Sequence, residues 1–244
     1  MLFRSQPNLR KVATILCLET ATETCSVALF VDTKVIALYE TTGQKVHAVQ
    51  LNNFIAKVLE LSGKSFKDLD AVAVSKGPGS YTGLRIGVAS AKGICFGLDI
   101  PLIAVNTLQA MTANFLRLNP EIKNKSRQYF IPMIDARRDE VYTAMLDLEL
   151  NFINETQSKI LESNSFKGFE FGTDLHFFGS GAAKASEILL HEDRFFFYEN
   201  LDASAAGLSE IVSEKYKNSL FEDVAYFEPY YLKEFFAKLP SGQR

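Results

Sequence analysis

Three apolar, β-branched runs follow one another at hairpin spacing near the head of this chain: ATILCLET, CSVALFVD and KVIALYETTG, residues 13–20, 25–32 and 34–43. Runs of this kind, separated by short turns, make an antiparallel meander. The period then changes. In HAVQLNNFIAKVLELSG, Leu51, Phe54, Ile55, Val58 and Leu59 recur at helical spacing, and Ser62-Gly63 ends the helix. LDAVAVSKG reads as a buried strand, followed by a helix from about Thr82 to Leu98. IPLIAVNTL is the next strand and LQAMTANFLRL the next helix. The order βββαβαβα predicts an α/β fold with a mixed sheet and helices on its faces.

LNPEIKNKSRQ, Leu118–Gln128, is the polar, charged, proline-containing stretch that reads as a boundary. It divides the chain into an N-terminal lobe, 1–117, and a C-terminal lobe, 118–244, whose last segment is expected to pack back on the first. Beyond the boundary, QYFIPMIDARRDEVYTAMLDLEL is strand, turn, strand. TDLHFFGSGAAKASEILLHE is strand, glycine turn, helix, and ASAAGLSEIVSEKYKNSL is a further helix. The second half begins as a shorter echo of the first.

Between strand and helix in the first half lies SKGPGSYTGLRIG, Ser75–Gly87. A strand, a glycine turn and a helix N-terminus together point backbone N–H groups at an anion. A phosphate loop of the Gly-Lys-Ser/Thr kind is excluded, because Gly83 is followed by Leu84-Arg85. The dinucleotide fingerprint fails on glycine spacing. Ser80 and Thr82 are N-cap candidates that would satisfy the donors internally. A tight structural corner is therefore the expected reading. The helix that follows carries Gly83, Gly87, Gly93 and Gly97 with Ala89, Ser90 and Ala91. A glycine costs roughly 1 kcal/mol against alanine in a helix interior, so these positions imply close approach of another backbone.

Net charge is −3, so no global basic field attracts nucleic acid. Cys17, Cys25 and Cys95 sit in apolar stretches without a CxxC, which reads as reduced thiols in a cytoplasmic protein. No run is long enough to span a bilayer, so no membrane association is expected. MLFRSQPNLRK has basic residues but no apolar core, and reads as a short arm rather than a secretory signal. Lys123, Lys125 and Arg127 in the boundary stretch read as a solvated loop, and the aromatic end YFEPYYLKEFF as a segment packed on the body.

ILCLETATETCSVALF, SKGPGSYTGLRIGVASAKGICFG, IPLIAVNTLQAM, IPMIDARRDEVYTAML and, more weakly, PYYLKEF together cover most of the chain. They resemble the bacterial TsaB (YeaZ) family. The resemblance implies an actin-like, Hsp70-like ATPase fold (ASKHA, ribonuclease H-like) of two related lobes. It implies a role in making N6-threonylcarbamoyladenosine at position 37 of tRNAs that read codons beginning with A. In that family TsaD transfers the threonylcarbamoyl group, TsaB is its required non-catalytic partner, and the ATPase TsaE joins the assembly. tRNA is then met indirectly, through the complex. The alternative from another class is an independent actin-like phosphotransferase; a metallopeptidase stands further behind.

Candidate site residues follow. TsaD-type proteins carry a helical His-x-x-x-His metal motif; here His47 is followed one turn later by Leu51, and His176 and His191 lie in other elements, so no metal is expected. By analogy with actin-like kinases, Glu19, Thr20 and Thr22 of the first hairpin and Asp135 of the second lobe mark a vestigial nucleotide site. The bland reading of the first is a hydroxyl-rich turn. FGSGAAK, Phe178–Lys184, resembles the adenosine-side turn, or is a helix start capped by Ser180. ATP or ADP is expected only in that vestigial site or at a subunit interface. The resemblance also implies that two helices meet two helices of TsaD as a four-helix bundle. Val49, Asn53 and Ala56 of the first helix, with Gly83, Gly87 and Ala91 of the second, are the expected contact residues. The same surface is expected to form a homodimer when the partner is absent.

Overall fold

The structure, a computed structural model, describes residues 12–43, 46–124, 127–170, 172–190, 192–199 and 201–233. The N-terminal arm, Lys125, His191 and the end of the PYYLKEF stretch, Glu234 and Phe235, lie outside the described residues.

The first half follows the sequence pattern. β1 (Thr14–Glu19), β2 (Thr24–Val31) and β3 (Lys34–Thr42) form the meander, followed by α1 (Val46–Ser62), β4 (Ala71–Gly77), α2 (Tyr81–Leu98), β5 (Leu102–Asn106) and α3 (Thr107–Leu118). The sheet order is β3-β2-β1-β4-β5. β1 runs antiparallel to β2 and parallel to β4. Both faces of β1 are buried, which is why it reads as a continuous apolar run. Leu16 and Leu18 face the side covered by α1 and α2, while Ile15 and Cys17 face the other.

The second half repeats this unit more fully than its sequence suggests. β6 (Gln128–Asp135), β7 (Glu140–Leu146), β8 (Phe152–Ile160), β9 (Asp174–Phe178) and β10 (Phe195–Tyr198) form a sheet of order β10-β9-β6-β7-β8, with α4 (Ala182–Ile188) after β9. In each half the strands therefore stand third-second-first-fourth-fifth. β8 and β10 escape a pattern reading because both are sheet edges: β8 is largely polar, and β10 is four half-buried aromatic residues. Where α1 stands in the first unit, residues 161–170 form turns and loops. Two such units stand in tandem, each a mixed sheet of the same strand order.

The C-terminal elements return to the first sheet. The expected single helix over 203–220 is a 3-10 turn, Ala205–Leu208, followed by α5 (Ser209–Lys217). Ala205, Leu208, Ile211, Val212 and Tyr216 bury against Ile15, Cys17, Ala28 and Ile103. Gly207 lets this turn pass close to α3: a Cβ there would stand 2.3 Å from the Ala110 carbonyl oxygen.

Candidate functional site

The loop between β4 and α2 is built against the chain's own first hairpin. Gly77 and Gly79 have φ of 115° and 159°. A Cβ at Gly79 would lie 2.2 Å from the Ala21 carbonyl oxygen, so only glycine fits there. The Ser80 N–H donates to that same carbonyl at 2.7 Å. The Ser80 hydroxyl accepts from the Gly83 N–H at 3.2 Å as the N-cap. Gly77 is covered from the other side: a Cβ would meet the Tyr230 carbonyl oxygen at 2.5 Å. The Gly77, Ser80 and Gly83 N–H groups are thus bonded within the chain, to Thr107, Ala21 and Ser80 respectively.

Glu19, at the end of β1, is fully buried. One carboxylate oxygen accepts from the Ala21 N–H at 2.7 Å, and the other from the Ser75 hydroxyl. Burial, only partly offset by the bonds from Ser75, Ala21 and Thr20, pushes its carboxyl up to about 7. Thr20 is buried against α2, and its hydroxyl has no hydrogen-bond partner among the described residues. The Thr22 hydroxyl accepts from the Thr24 N–H at 3.4 Å. Glu19, Thr20 and Thr22 therefore face inward as a folded turn. Both carboxylate oxygens of Glu19 are bonded within the fold.

Asp135, the corresponding carboxylate of the second lobe, is exposed and held by Lys184 at 2.6 Å. Its backbone N–H donates to the Ser180 hydroxyl at 3.1 Å. Ser180 thus serves Asp135, and α4 starts at Gly181 without a side-chain cap, which corrects the expected capping role. Glu140 is gripped by Ser158 and by Lys233 of the C-terminal segment. These hydrogen bonds and nearby lysines hold its carboxyl below the usual range.

His47 Nε2 lies 3.3 Å from the Thr24 carbonyl oxygen, and Leu51 one turn later is core. His176 is stacked between Phe130 and Phe196 in β6-β9-β10, with Nδ1 3.1 Å from the Tyr198 hydroxyl. Among the described residues no group of three or more His, Cys, Asp or Glu side chains is placed to hold a metal.

The second candidate site is the outer face of α1 and α2, which lie side by side. Val49, Asn53 and Ala56 are exposed, as expected of a contact face. Gly83, Gly87 and Ala91 are not. A Cβ at Gly83 would lie 2.1 Å from the Thr20 carbonyl oxygen, one at Gly87 would lie 2.2 Å from Thr20 Oγ1, and Ala91 is fully buried. The two glycines face the first hairpin of this chain and Ala91 lies in the core, so all three face inward. The outer stripe of α2 is instead Arg85, Ala89, Gly93, Phe96 and Gly97, with open space around both glycines. Val49, Leu61 and Phe96 are 67%, 65% and 77% exposed. Phe96 and Leu61 were missed because the sequence shows which helices are apolar all round, not which side their own sheet takes.

A cleft of about 590 Å³ separates the end of β3 from the region after β10, lined by Glu40, Thr42, Arg117, Tyr198, Asp202 and Ser204. Two of its carboxylates are engaged within the fold: Asp202 accepts from Thr24, and Glu40 from Ser26 and Ser204.

Residues 40–238 match the family model described as TsaD: tRNA N6-adenosine threonylcarbamoyltransferase. The chain is similar to the tRNA threonylcarbamoyladenosine biosynthesis protein TsaB of Escherichia coli, with 38% identity over 139 residues, 57% of each chain. To the protein of the same name from Bacillus subtilis it is 39% identical over 132 residues, 54% of each. The matched stretch thus spans a little over half the length of these curated relatives. In three dimensions, YeaZ from Pseudomonas aeruginosa superposes with a TM-score of 0.75 over 90% of this chain and all of that one, at 24% identity, which speaks for the fold.

Proposed function

The chain belongs to the family described as TsaD, tRNA N6-adenosine threonylcarbamoyltransferase, on its TsaB (YeaZ) branch, and on that premise we propose that it is a non-catalytic activating subunit in threonylcarbamoyladenosine synthesis. The reaction it supports is transfer of a threonylcarbamoyl group to N6 of adenosine 37 in tRNAs that read codons beginning with A. Its direct partner is a TsaD-type catalytic subunit, and a TsaE-type ATPase joins the assembly. The compartment is the cytoplasm; among the described residues no helix is long and apolar enough to cross a membrane.

The observation that carries this reading is the apolar outer face of α1 and α2. Val49, Leu61 and Phe96 stand in solvent beside Ala56, Ala89, Gly93 and Gly97. Small residues there let a second pair of helices approach closely, and large apolar groups at the edge supply burial. A second copy of this chain takes the same face when the catalytic partner is absent. The inward-turned Glu19 and the internally bonded Gly77 and Ser80 N–H groups argue against phosphate chemistry in the first lobe. Any ATP or ADP then belongs at a subunit interface.

The test is tRNA modification reconstituted from the TsaD-type and TsaE-type partners, with and without this chain. Strong dependence on a chain that does not itself turn over ATP is the expected result. Equal modification without it, or phosphotransfer by the isolated chain, refutes the reading.

A further inference from the structure

We propose that the β6–β7 hairpin and the C-terminal segment of this chain form a contact surface for RNA, suited to a phosphate backbone with unpaired bases. The proposal rests on the function argued above, and adds that the chain touches the nucleic acid itself.

The hairpin tip is the first observation. Arg137 and Arg138 have φ of 72° and 51°. Two successive left-handed residues are a place for Asn and Gly; long side chains there cost backbone energy. The turn is nevertheless firmly closed. The Ala136 N–H donates to the Glu140 carbonyl at 3.0 Å, and the Arg137 N–H to Asp135 Oδ1 at 2.7 Å. Strain held by surrounding bonds is typical of positions kept for a contact rather than for the fold.

The second observation is charge. The hairpin carries three carboxylates, yet Asp135 is held by Lys184 and Glu140 by Lys233, both from elsewhere in the chain. Arg137 and Arg138 are exposed and make no ion pair or side-chain hydrogen bond among the described residues. The lysines thus neutralise Asp135 and Glu140, and the tip is left with the two guanidinium groups and one exposed acid, Asp139, so cations outnumber unpaired acids there two to one.

The third observation is what lies beside them. The Tyr230 N–H donates to the Lys76 carbonyl at 2.7 Å. The Tyr231 ring packs on Tyr81 at 4.9 Å, and the Arg85 guanidinium lies over Tyr81 at 4.8 Å. Two residues on, Lys233 reaches Glu140 at the base of the arginine hairpin. Arg85, Tyr81, Tyr231, Lys233 and Arg137–Arg138 therefore follow one another along a single strip that crosses from the first lobe to the second. Tyr230 and Tyr231 remain 41% and 36% exposed.

Cations interleaved with ring faces suit single-stranded nucleic acid: phosphates take the cations, and splayed bases stack on the rings. A paired stem hides its base faces, so an unpaired loop is the matching ligand. An acidic peptide would use the arginines but has no need of the rings. The overall charge of −3 makes the attraction local, and so strongly salt-sensitive at the strip and negligible elsewhere.

The experiment measures binding of a fluorescent RNA stem-loop to the complex of this chain with its TsaD-type partner across a salt series. Two variants are compared with wild type: Arg137→Asn with Arg138→Gly, and Tyr230→Ser. Asn and Gly suit the turn, so the double variant keeps or gains thermal stability. Its slope of log affinity against log salt is expected to fall by about 1.4, for two lost phosphate contacts on a single strand. Tyr230→Ser is expected to weaken binding at least about fivefold with the salt slope unchanged. Unchanged affinity and slope in both variants overturn the proposal. So does loss of the protein complex in place of RNA binding, which would make the strip a protein contact. If the variants still bind RNA and still stimulate modification, the activating role stands and the RNA surface falls. If the wild-type chain gives no stimulation, the functional reading itself has failed.

Discussion

Glu19 shows how one buried carboxyl closes off a chemistry and leaves a measurable trace. Water is excluded from it, and the Ser75 and Ala21 donors do not fully compensate, so its pKa rises from 4.5 to about 7. Below pH 4.5 the group is protonated in folded and unfolded chains alike, and its environment costs nothing. Above pH 4.5 the unfolded chain gives up the proton while the folded one retains it. Folded stability therefore falls as pH rises from 4.5 to about 7, by roughly 3 kcal/mol at most. Glu19→Gln is expected to flatten this part of the profile in urea unfolding followed between pH 4.5 and 7. Parallel profiles for variant and wild type would show that the carboxyl is already ionised in the fold.

The glycines of α2 divide into two sets with opposite consequences. At Gly83 an added Cβ runs into the Thr20 carbonyl oxygen, which is backbone and cannot rotate away. Gly83→Ala is expected to destabilise the fold by about 1–3 kcal/mol, read as a lowered melting temperature. Gly93 has open space, so Gly93→Ala is expected to raise stability by up to about 1 kcal/mol through helix propensity alone. Gly93→Arg keeps the fold but places a long charged side chain on the outer face. Gel filtration with a TsaD-type partner should then show a weakened complex, with circular dichroism unchanged. Full-strength binding by a folded Gly93→Arg variant would remove the outer stripe of α2 from the interface.

The two sheets are expected to unfold as one body, because the chain crosses between them twice. α3 leaves the first sheet and packs on the second, and the 3-10 turn with α5 returns to cover the first. Val212 is fully buried there beside Ile15, Ala28 and Ile103. Val212→Ala is expected to cost roughly 2 kcal/mol. The loss should also be felt in the second lobe. The chain has no Trp, so a Tyr142→Trp reporter in β7, on the second sheet, follows that lobe by its emission in wild-type and Val212→Ala backgrounds alike. Its transition is expected to coincide with the far-ultraviolet circular dichroism transition in wild type and to shift with it in the variant. Two separated transitions would show that the lobes unfold independently.

By itself the sequence determined the order of elements in the first half, since hydrophobic period distinguishes strand from helix wherever one face is buried. It also marked GPGSYTGLRIG as a corner rather than a phosphate loop, because the lysine is missing and Ser80 can cap. Val49, Asn53 and Ala56 were legible as an outer face, lying off the apolar stripe of α1. What only the tertiary structure decided was which side each glycine of α2 faces. Gly83 and Gly87 look no different from Gly93 and Gly97 along the chain, and differ only because Thr20, remote in sequence, stands over the first pair. The same holds for β8, β10 and the strip from Arg85 to Arg138. Edge strands carry little periodicity, and the strip exists only because Tyr231 and Lys233 are brought back across both lobes. A periodic pattern records that a face is buried; the identity of what buries it is set by long-range packing, to which local pattern is blind.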